Sequence, residues 1–230
     1  MKPESRFRVD ILAGTTLCVV CVVISALTIQ YDAGAAGSKF SENSATEKMQ
    51  LVYLFSTTSA FGLTAWRKEE WRGMATLMAG GTLVMTIREM DGVFDQIRHG
   101  AWFPVAVATG LITCGLAGRW RMQLQDHLDE FLHMPAFGAF LSACLCLFIF
   151  SRLFGMKEVW ESLFEVQELE PMQRWVKNAV EEGSELFGYT LLFLSSYGFS
   201  RYTAQFAGAK FIYRQTAEKP GLAGERVHAS

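Results

Sequence analysis

The sequence predicts an all-α integral membrane protein: a bundle of six transmembrane helices, with a periplasmic surface helix between the fifth and sixth spans. Three observations carry this. Half of the 230 residues are apolar and only 19% are charged, few for a soluble protein of this size. The charges are bunched, so that long windows hold none and short windows hold many, as in spans joined by polar loops. The apolar runs also lack the strict alternation of barrel strands.

Residues 1–10 are polar and basic (Lys2, Arg6, Arg8), and residues 11–29 carry no charge and read as the first span. The run is longer than the apolar core of a secretory signal peptide, which favours an uncleaved anchor, with Ala33-Gly34-Ala35 as the alternative cleavage site. Residues 30–47 form a loop rich in small residues that ends in acidic groups. The second span covers about 49–66, Arg67–Arg72 is a charged turn, and the third span covers about 73–90. The fourth span lies near 101–118. Residues 119–134, with His127 and His133, form a polar amphipathic connection whose histidines read as solvated. Pro135 opens the fifth span, about 136–154. Residues 155–181 are too charged to span and show helical periodicity (Val159, Leu163, Val166), with an acidic solvated face (Glu158, Glu161, Glu165, Glu168) and a break at Pro171. The sixth span is about 183–200. Residues 1–204 thus form one membrane domain and 205–230 a polar cytoplasmic tail, expected to be partly disordered.

Six spans put both termini on one side. Of the 21 Lys and Arg, 13 fall in the segments on that side, so the positive-inside rule places both termini in the cytoplasm of a bacterial inner membrane. Near-zero net charge leaves no basic footprint for nucleic acid. The five cysteines all lie in apolar runs and read as small buried residues, the Cys18-x-x-Cys21 pair included. Trp71, Trp102, Trp120 and Trp175 read as interface anchors, and Gly80-Gly81 as a close-packing site.

The same topology gathers three acidic clusters at the periplasmic face: Glu42 and Glu47, the stretch Arg88–His99, and Glu181–Glu185. Ionisable groups at span depth are functional candidates by default. Asp91, Asp95 and His99 recur at four-residue intervals, one stripe if the helix continues. Arg88 borders it and Glu89 points elsewhere, towards a neighbouring helix. Glu182, Glu185 and Tyr189 make a second stripe, flanked by Glu181 and Ser184. If the stripes meet, Asp91, Asp95, His99, Glu182 and Glu185 are candidate ligands for a divalent metal, with Zn, Mn or Fe favoured by the oxygen-rich set. Asp91, Asp95, Glu182 and Glu185 are the candidate acid/base groups. Arg88, Tyr189, Glu42 and Glu47 are candidate substrate-binding groups. A bound metal would activate water for hydrolysis. A structural reading stands beside this one, with Arg88 pairing Asp91 and the glutamates only opening a helix.

The pattern Arg-Glu-x-Asp-x-x-x-Asp-x-x-x-His-Gly-x-Trp at 88–102 resembles a signature of an uncharacterised family of bacterial multipass inner-membrane proteins. Glu42-Asn43 with Glu47, and Glu181-Glu182 with Glu185, are similar to further segments of that family. It implies a multipass fold and no particular activity. Glu42, Asn43 and Glu47 also resemble the entry segment of alkaline ceramidase-type membrane hydrolases. That likeness implies zinc and hydrolysis of a lipid amide. The family's late histidine pair is missing here, and Glu182 and Glu185 would stand in its place. The functional expectation is therefore a metal-dependent hydrolase acting on a lipid or other membrane substrate. The alternatives are a small transporter or proton carrier, disfavoured by the scarcity of ionisable groups in the cytoplasmic halves of the spans, and an accessory subunit docking through 155–181.

Overall fold

The structure, a computed structural model, describes residues 3–34, 40 and 44–217, with side chains between 10 and 205 of that range. Among them it is all-α, with no strand. The helices are α1 (Pro3–Gly34), α2 (Ala45–Arg67), α3 (Arg72–Glu89), α4 (Asp91–Asp95), α5 (Trp102–Gly118), α6 (Arg121–Leu132), α7 (Pro135–Leu145), α8 (Ser151–Gly155), α9 (Lys157–Phe164) and α10 (Pro171–Ala217). A π-helical turn, Cys146–Phe150, joins α7 to α8 as one continuous rod. Each of the six segments expected to span thus lies on a helix. Glu42, Asn43, Ala35 and the tail beyond 217 lie outside the described residues. α10 continues to Ala217, past the expected end of the last span.

The six long helices run alternately up and down, as contacts at the two ends show. At one end Asp10 of α1 pairs with Arg201 and accepts from Gln205 at 2.8 Å, both on α10. Trp71, before α3, packs tilted against His127 of α6 with ring centroids 4.2 Å apart. At the other end the buried Asp32 closes α1 onto the start of α2. Its carboxylate accepts from Ala45 N at 3.0 Å, Thr46 N at 2.7 Å and the Thr46 hydroxyl at 2.6 Å. Ser44 also caps α2, accepting from Glu47 N at 3.2 Å. Caps of this kind contribute about 1 kcal/mol each, and Ser44-x-x-Glu47 has the capping-box sequence.

α2 and α10 form the centre. α3 packs on α2 and α5, α7 packs on α10, and α1 lies against α2 and α10. The inner helices are the less apolar ones because their hydroxyls are used internally. Thr58 meets Thr82 at 2.9 Å, Ser25 meets Thr190 at 3.0 Å, and Ser195 donates to Ala136 O at 2.8 Å. Gly80 lets α3 approach α5: a Cβ there would sit 2.1 Å from Thr113. The outer helices are apolar and hardly buried. Only 11% of the most apolar window of Asp10–Gly34 is buried, and 17% for Pro135–Gly155. Water would oppose exposing that much contiguous apolar surface. These two helices are long and apolar enough to cross a membrane. α5 and α6 make a third crossing if taken as one broken span, with a bend of 98°.

Several side chains differ from expectation. His127 is buried on α6, not solvated, because it closes the Trp71 cluster with Phe199 and Phe131; His133 is exposed as expected. Trp71 is 3% exposed and a core residue rather than an interface anchor. Of the cysteines only Cys21 is fully buried, while Cys18 and Cys114 are exposed on the flanks of apolar helices.

Candidate functional site

α3 stops at Glu89 because Met90 leaves helical geometry (φ −94°, ψ 17°). α4 is a single turn and the chain then reverses through Gly100, whose φ of +76° suits glycine. The expected stripe of Asp91, Asp95 and His99 therefore does not form on a continuous helix. All three are exposed. Asp91 accepts from Gly92 N at 2.7 Å. Asp95 accepts from Gly100 N at 2.9 Å and meets His99 Nδ1 at 2.9 Å, a local clasp on the turn. The Gly100 N–H, with His99 beside it, holds the Asp95 carboxyl below its usual range.

The residue that does turn inward is Glu89. Its Oε1 accepts from Arg88 Nη1 at 2.6 Å and from the Tyr189 hydroxyl at 2.8 Å. Arg88 thus pairs with Glu89 rather than Asp91. On α10 the stripe of Glu182, Glu185 and Tyr189 forms as expected, and each member meets a different helix. Tyr189 reaches α3. Glu185 Oε1 accepts from Ser151 Oγ at 2.6 Å and from Arg152 Nη2, both on α8. Gln50 Nε2 on α2 donates to Glu182 Oε2 at 2.9 Å and to its backbone oxygen at 3.2 Å. Among the described residues Gln50 Oε1 is buried without a partner. Glu181 faces away to Lys177 at 2.6 Å.

The π turn positions α8's share. Gly188 admits it, since a Cβ there would lie 2.6 Å from Leu147 Cγ. The wide turn, with Ser151 N–H bonded to Cys146 O, changes the helical phase just before Ser151 and Arg152, which both meet Glu185. Such bulges recur at functional sites. The Glu89 and Glu185 side chains are 9% and 8% exposed, whereas Arg88 and Arg152 are 45% and 47% exposed. Carboxylates so buried need their partners to remain ionised.

Arg88, Glu89, Arg152, Glu185 and Tyr189 line a cavity of about 130 Å³, walled on its other side by Met85, Leu147 and Phe148. Met85, Arg88, Leu147 and Phe148 also line a second cleft of about 640 Å³, whose accessible wall is entirely apolar. This cleft lies between α3 and α7. It runs from Arg88 and Trp102 at the charged end to Leu128, Phe131 and Leu132 of α6, with Leu192 of α10 at its back. A third hollow of about 150 Å³ touches Glu89 from the far side and holds Glu47 and Lys48.

The structure thus unites Arg88, Glu185 and Tyr189, with Glu182 beside them on α10. It leaves Asp91, Asp95 and His99 outside, and Glu47 across Glu89 in the third hollow. Among the described residues no three His, Cys, Asp or Glu side chains group as a metal ion would need. The expected five-ligand set is divided between a surface turn and an ion-paired cluster. Arg152, Ser151, Gln50 and Glu89 were not among the expected site residues. Arg152 had a signal, as a lone charge near the end of the fifth apolar run. Comparison with family models, with curated proteins and with solved structures gives no match.

Proposed function

We propose that the protein is a six-span protein of the bacterial inner membrane, with both termini cytoplasmic. In this reading it takes one membrane lipid sideways into the α3/α7 cleft and holds the headgroup on the periplasmic cluster of Arg88, Glu89, Arg152, Glu185 and Tyr189. The observation that carries this reading is the shared wall. The same four side chains bound an apolar cleft large enough for acyl chain and a small charged cavity. A binding site with an apolar body and a few convergent polar groups is the usual form of a ligand pocket. Arg88 serves both parts, its stem on the apolar wall and its head in the cluster. The resemblance of Glu42, Asn43 and Glu47 to alkaline ceramidase-type hydrolases points to the same substrate class. Zinc hydrolysis itself finds no ligand set among the described residues.

The test uses Gly81, which lines the cleft and has open space where a Cβ would go. Gly81→Trp should fill the cleft without disturbing the bundle. The expected result is that wild-type protein released gently from membranes carries about one lipid per chain in native mass spectrometry, and that Gly81→Trp carries none. Equal lipid occupancy in both would overturn the reading.

A further inference from the structure

Resting on that lipid-binding reading, we infer that the headgroup is a phosphate ester, and that Arg88 and Arg152 read it as a pair. The two guanidiniums come from different helices, α3 and α8, yet line one cavity of about 130 Å³. Each carries its own carboxylate on the inner side, Glu89 for Arg88 and Glu185 for Arg152. The carboxylates are nearly buried while the guanidiniums are about half exposed. The side of the cluster open to a ligand is therefore cationic, although its four charges sum to zero.

The bonding leaves capacity for an anion. A guanidinium has five N–H donors in a planar fork. Among the described residues Arg88 meets Glu89 through Nη1 alone, and Arg152 meets Glu185 and Ser151 through Nη2 alone. Tyr189 and Ser151 are committed as donors to Glu89 and Glu185, which fixes the carboxylates that orient the two forks. Preoriented forks suit the oxygens of a phosphate, and arginine is the residue of choice for that planar, multidentate recognition. The apolar cleft shares Met85, Arg88, Leu147 and Phe148 with the cavity, so an acyl chain in the cleft would lie beside a phosphate in the cavity.

The experiment measures binding of three probes to full-length protein in neutral-lipid nanodiscs: an anionic glycerophospholipid, a diacylglycerol with the same chains, and inorganic phosphate. The phospholipid should bind at least about tenfold more tightly than the diacylglycerol. Arg88→Gln should erase that preference while the diacylglycerol still binds. So should the double variant Arg152→Gln/Glu185→Gln, which leaves no unpaired buried charge. Arg88→Lys and Arg152→Lys, which keep charge beside the carboxylates and lose the fork, should weaken the preference partway. No preference in the wild type, or a preference that survives all of these variants, overturns the inference. Inorganic phosphate binding as tightly as the phospholipid, with Gly81→Trp indifferent to it, would keep the phosphate assignment and overturn the lipid as its source. Loss of both lipids in Gly81→Trp, with the arginine variants unchanged from wild type, would leave the cleft standing and sink the headgroup assignment.

Discussion

At the scale of residues, two carboxylates two positions apart have opposite fates. Glu89 and Asp91 sit on either side of the Met90 break. Glu89 faces Tyr189 across the bundle, while Asp91 bonds its own turn at Gly92. The predicted consequence is a sharp contrast between two substitutions. Tyr189→Phe keeps the ring in its packed cluster with Leu186 and Leu192 but removes one of the two donors to a buried carboxylate. It should lower the free energy of unfolding by about 1–2 kcal/mol. Asp95→Ala loses an exposed clasp to His99 and Gly100 and should stay within about 0.5 kcal/mol of wild type. Equilibrium unfolding in mixed micelles, with lipid retention as a second readout, checks both. If Asp95→Ala were the more damaging, the surface turn rather than the inward cluster would be the site.

At the scale of elements, the helices and the breaks at Arg67–Arg72 and before Pro171 are legible in the sequence, while the break at Met90 and the π turn are not. Charge-poor windows mark candidate spans because hydrocarbon excludes charge, so all six long helices could be placed from the sequence. The i, i+4, i+8 spacing from Asp91 to His99 predicts one stripe, but periodicity does not reveal where a helix stops. Gly92 and Gly100 were visible and compatible with either outcome. On α10 no break intervenes, and the Glu182–Glu185–Tyr189 stripe formed as read. The π turn was beyond reach, since Cys146–Phe150 is as apolar as the turns around it and its wide register follows from the close approach of Gly188. That approach gives the element-scale prediction. Gly188→Ala would place a Cβ 2.6 Å from Leu147 Cγ, forcing α7 outward at a cost of about 1–3 kcal/mol. It should also pull Arg152 from Glu185 and reduce lipid retention. Adding Leu147→Ala removes the clash and should restore part of the retention, although the small cavity it leaves keeps the protein less stable than wild type. A Gly188→Ala protein that retains lipid fully would show that the π turn does not set the position of Arg152.

At the scale of the whole molecule, division of labour among helices explains why composition marks some spans more clearly than others. α1 and the α7–α8 rod show their apolar sides outward, while α2, α3 and α10 hold Thr, Ser and Gln inward, where the hydroxyls bond to carbonyls or to one another. Burying polar groups on inner helices lowers their mean hydropathy without exposing them to lipid, because helix pairs in a membrane use such groups as packing contacts. The orientation of the bundle then decides which aqueous phase the charged cluster meets. With 13 of the 21 basic residues in segments on the side of the termini, the positive-inside rule predicts a cytoplasmic turn at Lys68 and a periplasmic turn at Gly92. Both positions are open to a probe: Gly92 is exposed with open space where a Cβ would go, and Lys68 lies in the turn between α2 and α3. In a background with the five native cysteines replaced, Gly92→Cys should react with a membrane-impermeant maleimide in spheroplasts, and Lys68→Cys only after the membrane is permeabilised. The converse pattern would invert the bundle and bring the cluster to the cytoplasmic leaflet. In the proposed binding mode the lipid's chain lies along the cleft towards Leu128 and Leu132 of α6 and its headgroup lies at Arg88. The same labelling result therefore fixes which leaflet supplies it.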